Sequence, residues 1–488
     1  SFLIRQDQRG PIDRRAADEG GGIDLSARTA LTDDTVLHAV GRYSESKFIN
    51  GIDIAASKTR ISDAVLSLLH DPAGSTSWEM NAYVRDQGFR AVFSAVNAAR
   101  TTATPSLDQF AVPATAVGGN LIVRHNASTA VSLDAGVDAR FVEGATNENF
   151  QNQGAGFTRV RKAGGEQVLT GAFAEMNWQA TPNLLATMGG RVDAWQQNDG
   201  LRREAVLQTG AIVREDHYAD QHGTVGTVRG GMRFEATDDV TLKAAAYTGF
   251  RLPTLNELYR PFRVGNDITE ANPNLILEKL EGFDLGAEWA VSDRASLSAT
   301  YFYSVLKNAV TNITVQTTPG LNAVLGVTVP VGGVLRQRQN IDRIVAEGVE
   351  ASAKLSVSND LQLSLSYLFT SPNVTRSPQQ PVLVGARLAQ VPRHQATMQL
   401  RWAADERLTL TTQMRGASRQ FDDDQNTRIL RGYVVADATA AYAISAKTEI
   451  YVALENAFNR TIEAGRSADG LVSVATPRTA RVGLRASF

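Results

Sequence analysis

Apolar and polar residues alternate along the C-terminal half of the chain. Leu297, Ala299, Tyr301, Tyr303 and Val305 stand against Ser296, Ser298, Thr300, Phe302 and Ser304, a period of two with one exception on the polar side. Leu361, Leu363, Leu365 and Tyr367 alternate in the same way with Gln362, Ser364 and Ser366. Further on, Ala396, Met398, Leu400 and Trp402 alternate with Thr397, Gln399 and Arg401, and Leu408, Leu410 and Met414 with Thr409, Thr411, Gln413 and Arg415. The last nine residues separate by parity too, with Ala480, Val482, Leu484, Ala486 and Phe488 on one side and Arg481, Gly483, Arg485 and Ser487 on the other. Successive side chains of a strand point to opposite faces, so each segment predicts a strand with one apolar face.

The breaks between these segments are of two kinds. Asp238-Asp239, Ser292-Asp293-Arg294, Ser358-Asn359-Asp360, Ala404-Asp405-Glu406 and Ser445-Ala446-Lys447 are short enough for hairpin turns. Gln197 to Gln221, Thr254 to Asn274, Asn308 to Gly333, Ser371 to Gln390 and Ser418 to Leu430 are long. The two kinds alternate, which puts the short turns at one end of a meander and the long loops at the other. The first half is less regular. Gly21–Leu31, Thr35–Phe48, Ser77–Val96, Pro113–His125 and Thr129–Phe141 read as strands, while ISDAVLSLLHD around Val65 also fits a short amphipathic helix. Alternation predicts about 20 strands in all.

This pattern is that of an all-β, transmembrane antiparallel β-barrel, whose strands need only ~9–11 residues each and whose loops are segregated by length. A soluble sandwich has no reason to segregate its loops, and a β-propeller would repeat a motif every ~40–45 residues for four strands rather than two. No set of helices is in view to cover so many apolar faces. If the apolar face meets lipid, Arg401, Gln413, Arg415, Asp437, Thr439, Glu455, Arg481 and Arg485 fall on the lumen side. Such mixed charge suits the wide interior of a barrel of ~20 or more strands. Tyr433, Tyr442, Trp402, Phe458 and Phe488 lie near strand ends, where interfacial aromatics belong.

Composition narrows the choice. At 488 residues the chain exceeds a single compact core, and glycine (40) far outnumbers proline (15), with no stretch of skewed charge marking a linker. A net charge of −2 without a basic block gives no support to nucleic-acid binding. No apolar run is long enough for a transmembrane helix, and the absence of cysteine removes disulfides and thiolate metal sites. The chain opens at SFLIRQDQRG without a signal peptide, so either a leader has been removed or Ser1 is a cut edge.

YTGFRLPTLNELYRPFRVGN, followed by ANPNL and LEGFDLGAEW, resembles the corresponding stretch of the TonB-dependent outer-membrane transporters (receptors). The matching residues are Phe250-Arg251-Leu252-Pro253, Leu258-Tyr259, Asn272-Pro273-Asn274-Leu275 and Glu281 to Gly286. LENAFNR at Leu454 to Arg460 resembles the family's penultimate-strand motif, VPRHQATM at Val391 to Met398 is also similar, and terminal Phe488 resembles the signal read by the barrel-assembly machinery. The resemblance covers most of the chain and implies a Gram-negative outer-membrane location. It implies a ~22-stranded barrel around an N-terminal plug. It also implies a short segment that engages TonB, and uptake driven by the inner-membrane proton-motive force. The family's plug and TonB-binding segment have no counterpart here, and SFLIRQDQRGPIDRRAADEG resembles a loop after roughly the third barrel strand. The expectation is therefore that residues 1–488 form the C-terminal part of the barrel, with a companion N-terminal segment supplying plug and first strands.

Thr254 to Asn274 is rich in donors, which makes Arg251, Asn256, Glu257, Tyr259, Arg260 and Arg263 the candidate substrate-binding residues. The competing reading is that Phe250-Arg251 and Pro253 order this loop against the wall. Haem transporters of the resembled family carry a histidine between the two boxes, and none lies between Pro253 and Asn272. Asp422-Asp423-Asp424 lacks the glycine turn and terminal glutamate of an EF-hand, and His217 with His222 stand in a long loop beside Asp216 and Asp220, so no metal site is assigned. No catalytic motif is present, which argues against an enzyme, and no cofactor is implied. Three classes remain: TonB-dependent uptake of a scarce nutrient such as a metal chelate, cofactor or glycan; a passive porin; and a surface receptor or adhesin that does not transport. The expected partners are outer-membrane lipid, the TonB complex through the plug segment and a small-molecule nutrient.

Overall fold

The computed structural model describes residues 2–152, 154–264 and 266–486; terminal Phe488 lies outside them. Among the described residues the main sheet has 22 strands, of which Ile212–His217, Phe262–Val264 and Asp267–Glu270 are short pieces within loops, leaving nineteen that build the wall. Each wall strand pairs antiparallel with the next in sequence, from Ala17–Thr32 beside Thr35–Ile49 to Thr448–Glu455 beside Thr479–Ala486. Among the described residues the first and last of these strands each have one neighbour. The segment ISDAVLSLLHD belongs to the strand Ala56–His70, not to a helix. Val65 stands across from Val40, and Asp63 receives an Arg85 guanidinium at 3.0 Å, partners that only an extended chain can reach.

Side-chain parity follows the sequence pattern. Val482 and Leu484 are 72% and 65% exposed on the outside of the last strand, while Arg481 and Arg485 turn inward to Glu455 and Glu449 at 3.3 and 3.0 Å. Arg415 and Asp437 pair in the same way at 3.0 Å. Exposed apolar groups on one face and paired charges on the other suit hydrocarbon outside and water inside. Trp78, Trp178, Trp289 and Trp402 all lie within four residues of a short turn and mark one interface of that band. On the inner face aromatic rings lie over glycines directly across from them: Tyr83 over Gly118, Phe173 over Gly136, Trp195 over Gly223, Tyr247 over Gly282, Phe302 over Gly348 and Tyr451 over Gly483. A Cβ at any of these glycines would collide with its ring.

The long-loop end differs from expectation in where strand gives way to loop. Gln197, Asn308 and Ser371 still belong to strands, which run on to Val206, Gln316 and Arg376. Phe157–Thr181 has 25 residues, an extended length of about 80 Å and far more than hydrocarbon requires. Beyond the membrane both faces of a hairpin are wet or packed on other loops, so the two-residue period fades although pairing continues. The N-terminal segment runs along this rim. Arg5 N donates to Val472 O at 3.1 Å, and the Arg100 guanidinium binds Asp13 at 2.7 Å, so the segment joins the last loop to an early hairpin.

Candidate functional site

The loop between Arg251 and Glu278 folds back over the inner wall at the long-loop end. Pro253 cannot continue the strand ladder, and Thr254 starts a one-turn helix, Leu255–Tyr259, through a capping box. Glu257 N donates to Thr254 Oγ1 at 3.3 Å and Thr254 N to Glu257 Oε2 at 2.7 Å. Arg251 grips Glu257 with two guanidinium nitrogens at 2.9 and 3.2 Å and donates its Nε to Glu278, tying both ends of the loop together. Burial would raise the Glu257 carboxyl, but the hydrogen bonds from Arg251 and Thr254 outweigh it and hold that carboxyl below its ordinary range. Tyr259 is fully buried, stacked on Tyr218 with centroids 5.2 Å apart and laid over Gly165 and Gly200 of the wall. Leu258 and Leu275 close the same small core.

Beneath the loop lies a buried ionic layer. Arg161 donates to Glu148 at 2.6 Å and to Glu204 at 3.4 Å, and Arg202 donates to Glu204 and to Glu270, each at 2.9 Å. Glu270 belongs to the loop strand Asp267–Glu270, which pairs in parallel with Leu335 to Gln337, so the layer locks loop to wall. Arg260 sits 3.7 Å from Glu148, with its Nε and one terminal nitrogen making no hydrogen bond. Burial pulls its pKa down; Glu148 opposes that shift, and Arg161 and Arg338 reinforce it. Arg338 in turn donates to the carbonyls of Asn256 and Arg260, each at 2.7 Å. Of the six sequence candidates, Arg251, Asn256, Glu257 and Tyr259 make contacts that hold the loop. Arg260 caps the short helix and Arg263 lies in the strand piece Phe262–Val264, and burial lowers the pKa of both.

Past Phe262 the loop borders a cavity of about 620 Å³, completed by loop residues around 383–390, 422–428 and 465–473. Three of its potential anions are already engaged. Asp423 accepts from Thr427 N and Arg428 N at 2.9 and 2.8 Å, Asp424 from Thr314 N at 2.9 Å, and Asp422 from Gln390 and Arg466 N, each at 2.6 Å. This triplet therefore stitches loops together, and among the described residues no group of three or more ligands is arranged for a metal. His217 is likewise exposed, 3.8 Å from Glu215. The cavity's guanidinium groups are less fully satisfied. Arg428 Nε and Arg466 Nε have no hydrogen-bond partner, and Arg387 rests on the Phe421 ring at 4.5 Å, its pKa lowered by burial and by the nearby Arg393 and Arg419. A polar space of this size lined by several arginines is suited to a small anion or a carbonyl-rich ligand. Sequence reasoning missed these arginines because they come from loops far apart in the chain and lie in no motif.

The TonB dependent receptor-like β-barrel family model matches residues 4–457. The chain belongs to that family. This receptor is an outer-membrane protein. It is similar to the iron-regulated outer membrane virulence protein of Vibrio cholerae, 24% identical over 231 residues that make up 46% of this chain and 34% of that protein. The match thus spans about a third of the length of its curated relative. Among solved structures, the ferric yersiniabactin uptake receptor FyuA of Yersinia pestis superposes with a TM-score of 0.76 at 15% identity, covering 100% of this chain and 74% of that one. The copper transporter OprC gives 0.78 at 14% identity, with the same coverage. The ferric-catecholate import receptor Fiu of E. coli K12 gives 0.74 at 15%, covering 98% of this receptor and 76% of that chain. These likenesses establish the fold.

Proposed function

We propose that this receptor takes up a small anionic nutrient, such as a metal chelate or an anionic cofactor, across the outer membrane in a TonB-dependent manner. The observation that carries the reading is the cavity among the long loops, which Arg387, Arg428 and Arg466 line while its carboxylates Asp422, Asp423 and Asp424 are engaged by protein donors. Relatives described as a ferric yersiniabactin receptor, a ferric enterobactin receptor and a copper transporter support a metal-bearing cargo. In this reading Arg251, Asn256, Glu257 and Tyr259 position the loop that walls the cavity, and Arg260 and Arg263 lend positive potential at its approach. TonB, acting on a plug held in the lumen, supplies the energy for release inward.

The test is uptake of labelled anionic ferric and cupric chelates by a deletion strain carrying the wild-type receptor or Arg387→Gln/Arg428→Gln. Uptake of one cargo that stops in a TonB-deficient strain and falls in the double variant, at equal amounts of protein in the outer membrane, supports the proposal. Flux that persists without TonB would make the protein a passive channel instead.

A further inference from the structure

Lys279, Lys307, Arg343 and Arg376 stand directly across from one another on four neighbouring strands. They share parity with Leu285, Trp289, Leu297 and Val349, which are exposed on the lipid side, so this row of cations faces outward rather than into the lumen. Like charges directly opposite on a sheet repel. Several charges facing the lumen are answered by opposite ones, as with Lys243 and Glu288 or Arg415 and Asp437. In the outward row, Glu281 pairs with Lys307 and Asp342 lies 3.4 Å from Arg376, which leaves Lys279 and Arg343 without an ion pair among the described residues. A second outward row, Lys47, Lys58 and Arg90, is better compensated: Glu19 stands across from Lys47, and Glu45 lies 2.7 Å from Lys58.

The position of the first row says what its counter-ion is. Trp289 marks the periplasmic interface, and Lys279 lies ten residues further along the same strand, ~33 Å at the usual rise. With a strand tilt of ~40° this is ~25 Å along the membrane normal, the height of the apolar band in such barrels. The row therefore sits where the headgroups of the outer leaflet begin. Here Asn308 takes a left-handed backbone (φ 56°), and Thr375 is an extra residue between Val374, paired with Ile344, and Arg376, paired with Arg343. That bulge opens a cleft of about 670 Å³ lined by the four cations, Glu281, Asp342 and Asn308. Directly below it, Phe283, Leu285, Tyr301 and Val349 continue the lipid-facing surface.

We propose that this cleft is a binding site for the phosphate-bearing headgroup of an outer-leaflet lipid, whose acyl chains lie along the apolar surface beneath. Two arginines and two lysines against two carboxylates leave the net positive charge that a phosphomonoester matches, and guanidinium forks suit its oxygens. The test uses the complete receptor purified from outer membranes and placed in phosphatidylcholine nanodiscs doped with phosphatidic acid, with the lipid retained read by native mass spectrometry. The wild type should retain phosphatidic acid over phosphatidylcholine. Lys307→Gln/Arg343→Gln should lose about thirtyfold of that preference, the factor that two surface cations supply. Lys47→Gln/Lys58→Gln, which leaves the cleft intact, should keep it. Single Lys279→Gln, at an exposed side chain, is the second variant should the double variant assemble poorly, and it should lose part of the preference. Equal retention by wild type and cleft variants, or displacement of the lipid by inorganic phosphate at equal concentration, would overturn the proposal.

Discussion

Tyr259 lies so close over Gly200 that a Cβ there would fall 2.6 Å from the ring's Cζ. The loop's anchor thus depends on a missing side chain in the wall. Gly200→Ala should push the ring off its seat and cost ~1–3 kcal/mol, as overpacking in a tight core does. Gly41→Ala, where nothing lies within 4 Å, should be close to neutral. Thermal melts of the two variants, together with hydrogen exchange across residues 252–277, check the difference. Equal melting temperatures and equal exchange would remove Tyr259 as the anchor.

Acid should loosen the same loop. The Glu257 carboxyl is held below its ordinary value of 4.5, so its contribution is fully present above that value and is lost as pH falls through its lowered folded value. The protection factors of amides in residues 252–277, corrected for intrinsic exchange, should fall below about pH 4.5 in the wild type. In Glu257→Gln, which keeps the shape but cannot ionise, protection should start lower and lose this part of its acid dependence.

The outward assignment of the last strand predicts an asymmetry between neighbours. Leu484 pairs with Ile450 near the short-turn edge of the apolar band, so Leu484→Arg costs less than the ~2–4 kcal/mol of a midplane cation, yet it still opposes lipid, whereas Arg485→Leu removes a lumenal pair with Glu449. The amount of heat-modifiable protein in outer-membrane fractions should fall for the first variant and hold for the second.

Trypsin added to intact cells should cut at the exposed Arg431 of a long loop and spare Lys447 in a short turn. Permeabilising the outer membrane should then expose Lys447. Cleavage at Lys447 before permeabilisation would invert the topology.

What the sequence made legible was the part of the wall that meets hydrocarbon. There one face must be apolar, so Leu361 to Tyr367 and Ala480 to Ala486 declare both strand and orientation. Outside the membrane that constraint ends, and Asn308 to Gln316 read as loop although it is strand. The segment around Val65 was ambiguous because apolar neighbours at 64, 65, 68 and 69 satisfy a helical face as well, and only the cross-strand partners decide between the two. The loop carrying Arg251 to Arg263 was found by its family motif, which marks the segment that must dock on the wall. The cavity arginines Arg387, Arg428 and Arg466 gave no signal, since their meeting is a property of converging loops rather than of spacing.

The rings that lie over glycines along the inner face have a further consequence. An upright tyrosine or tryptophan would reach into the passage and swing with every rotamer change; laid flat on a bare backbone, it adds stiffness to the sheet and takes almost nothing from the bore. At these six places clearance is therefore set by where the strands run and varies little with the motion of the rings. A bulky body can slide past those six places without first waiting for a ring to move aside.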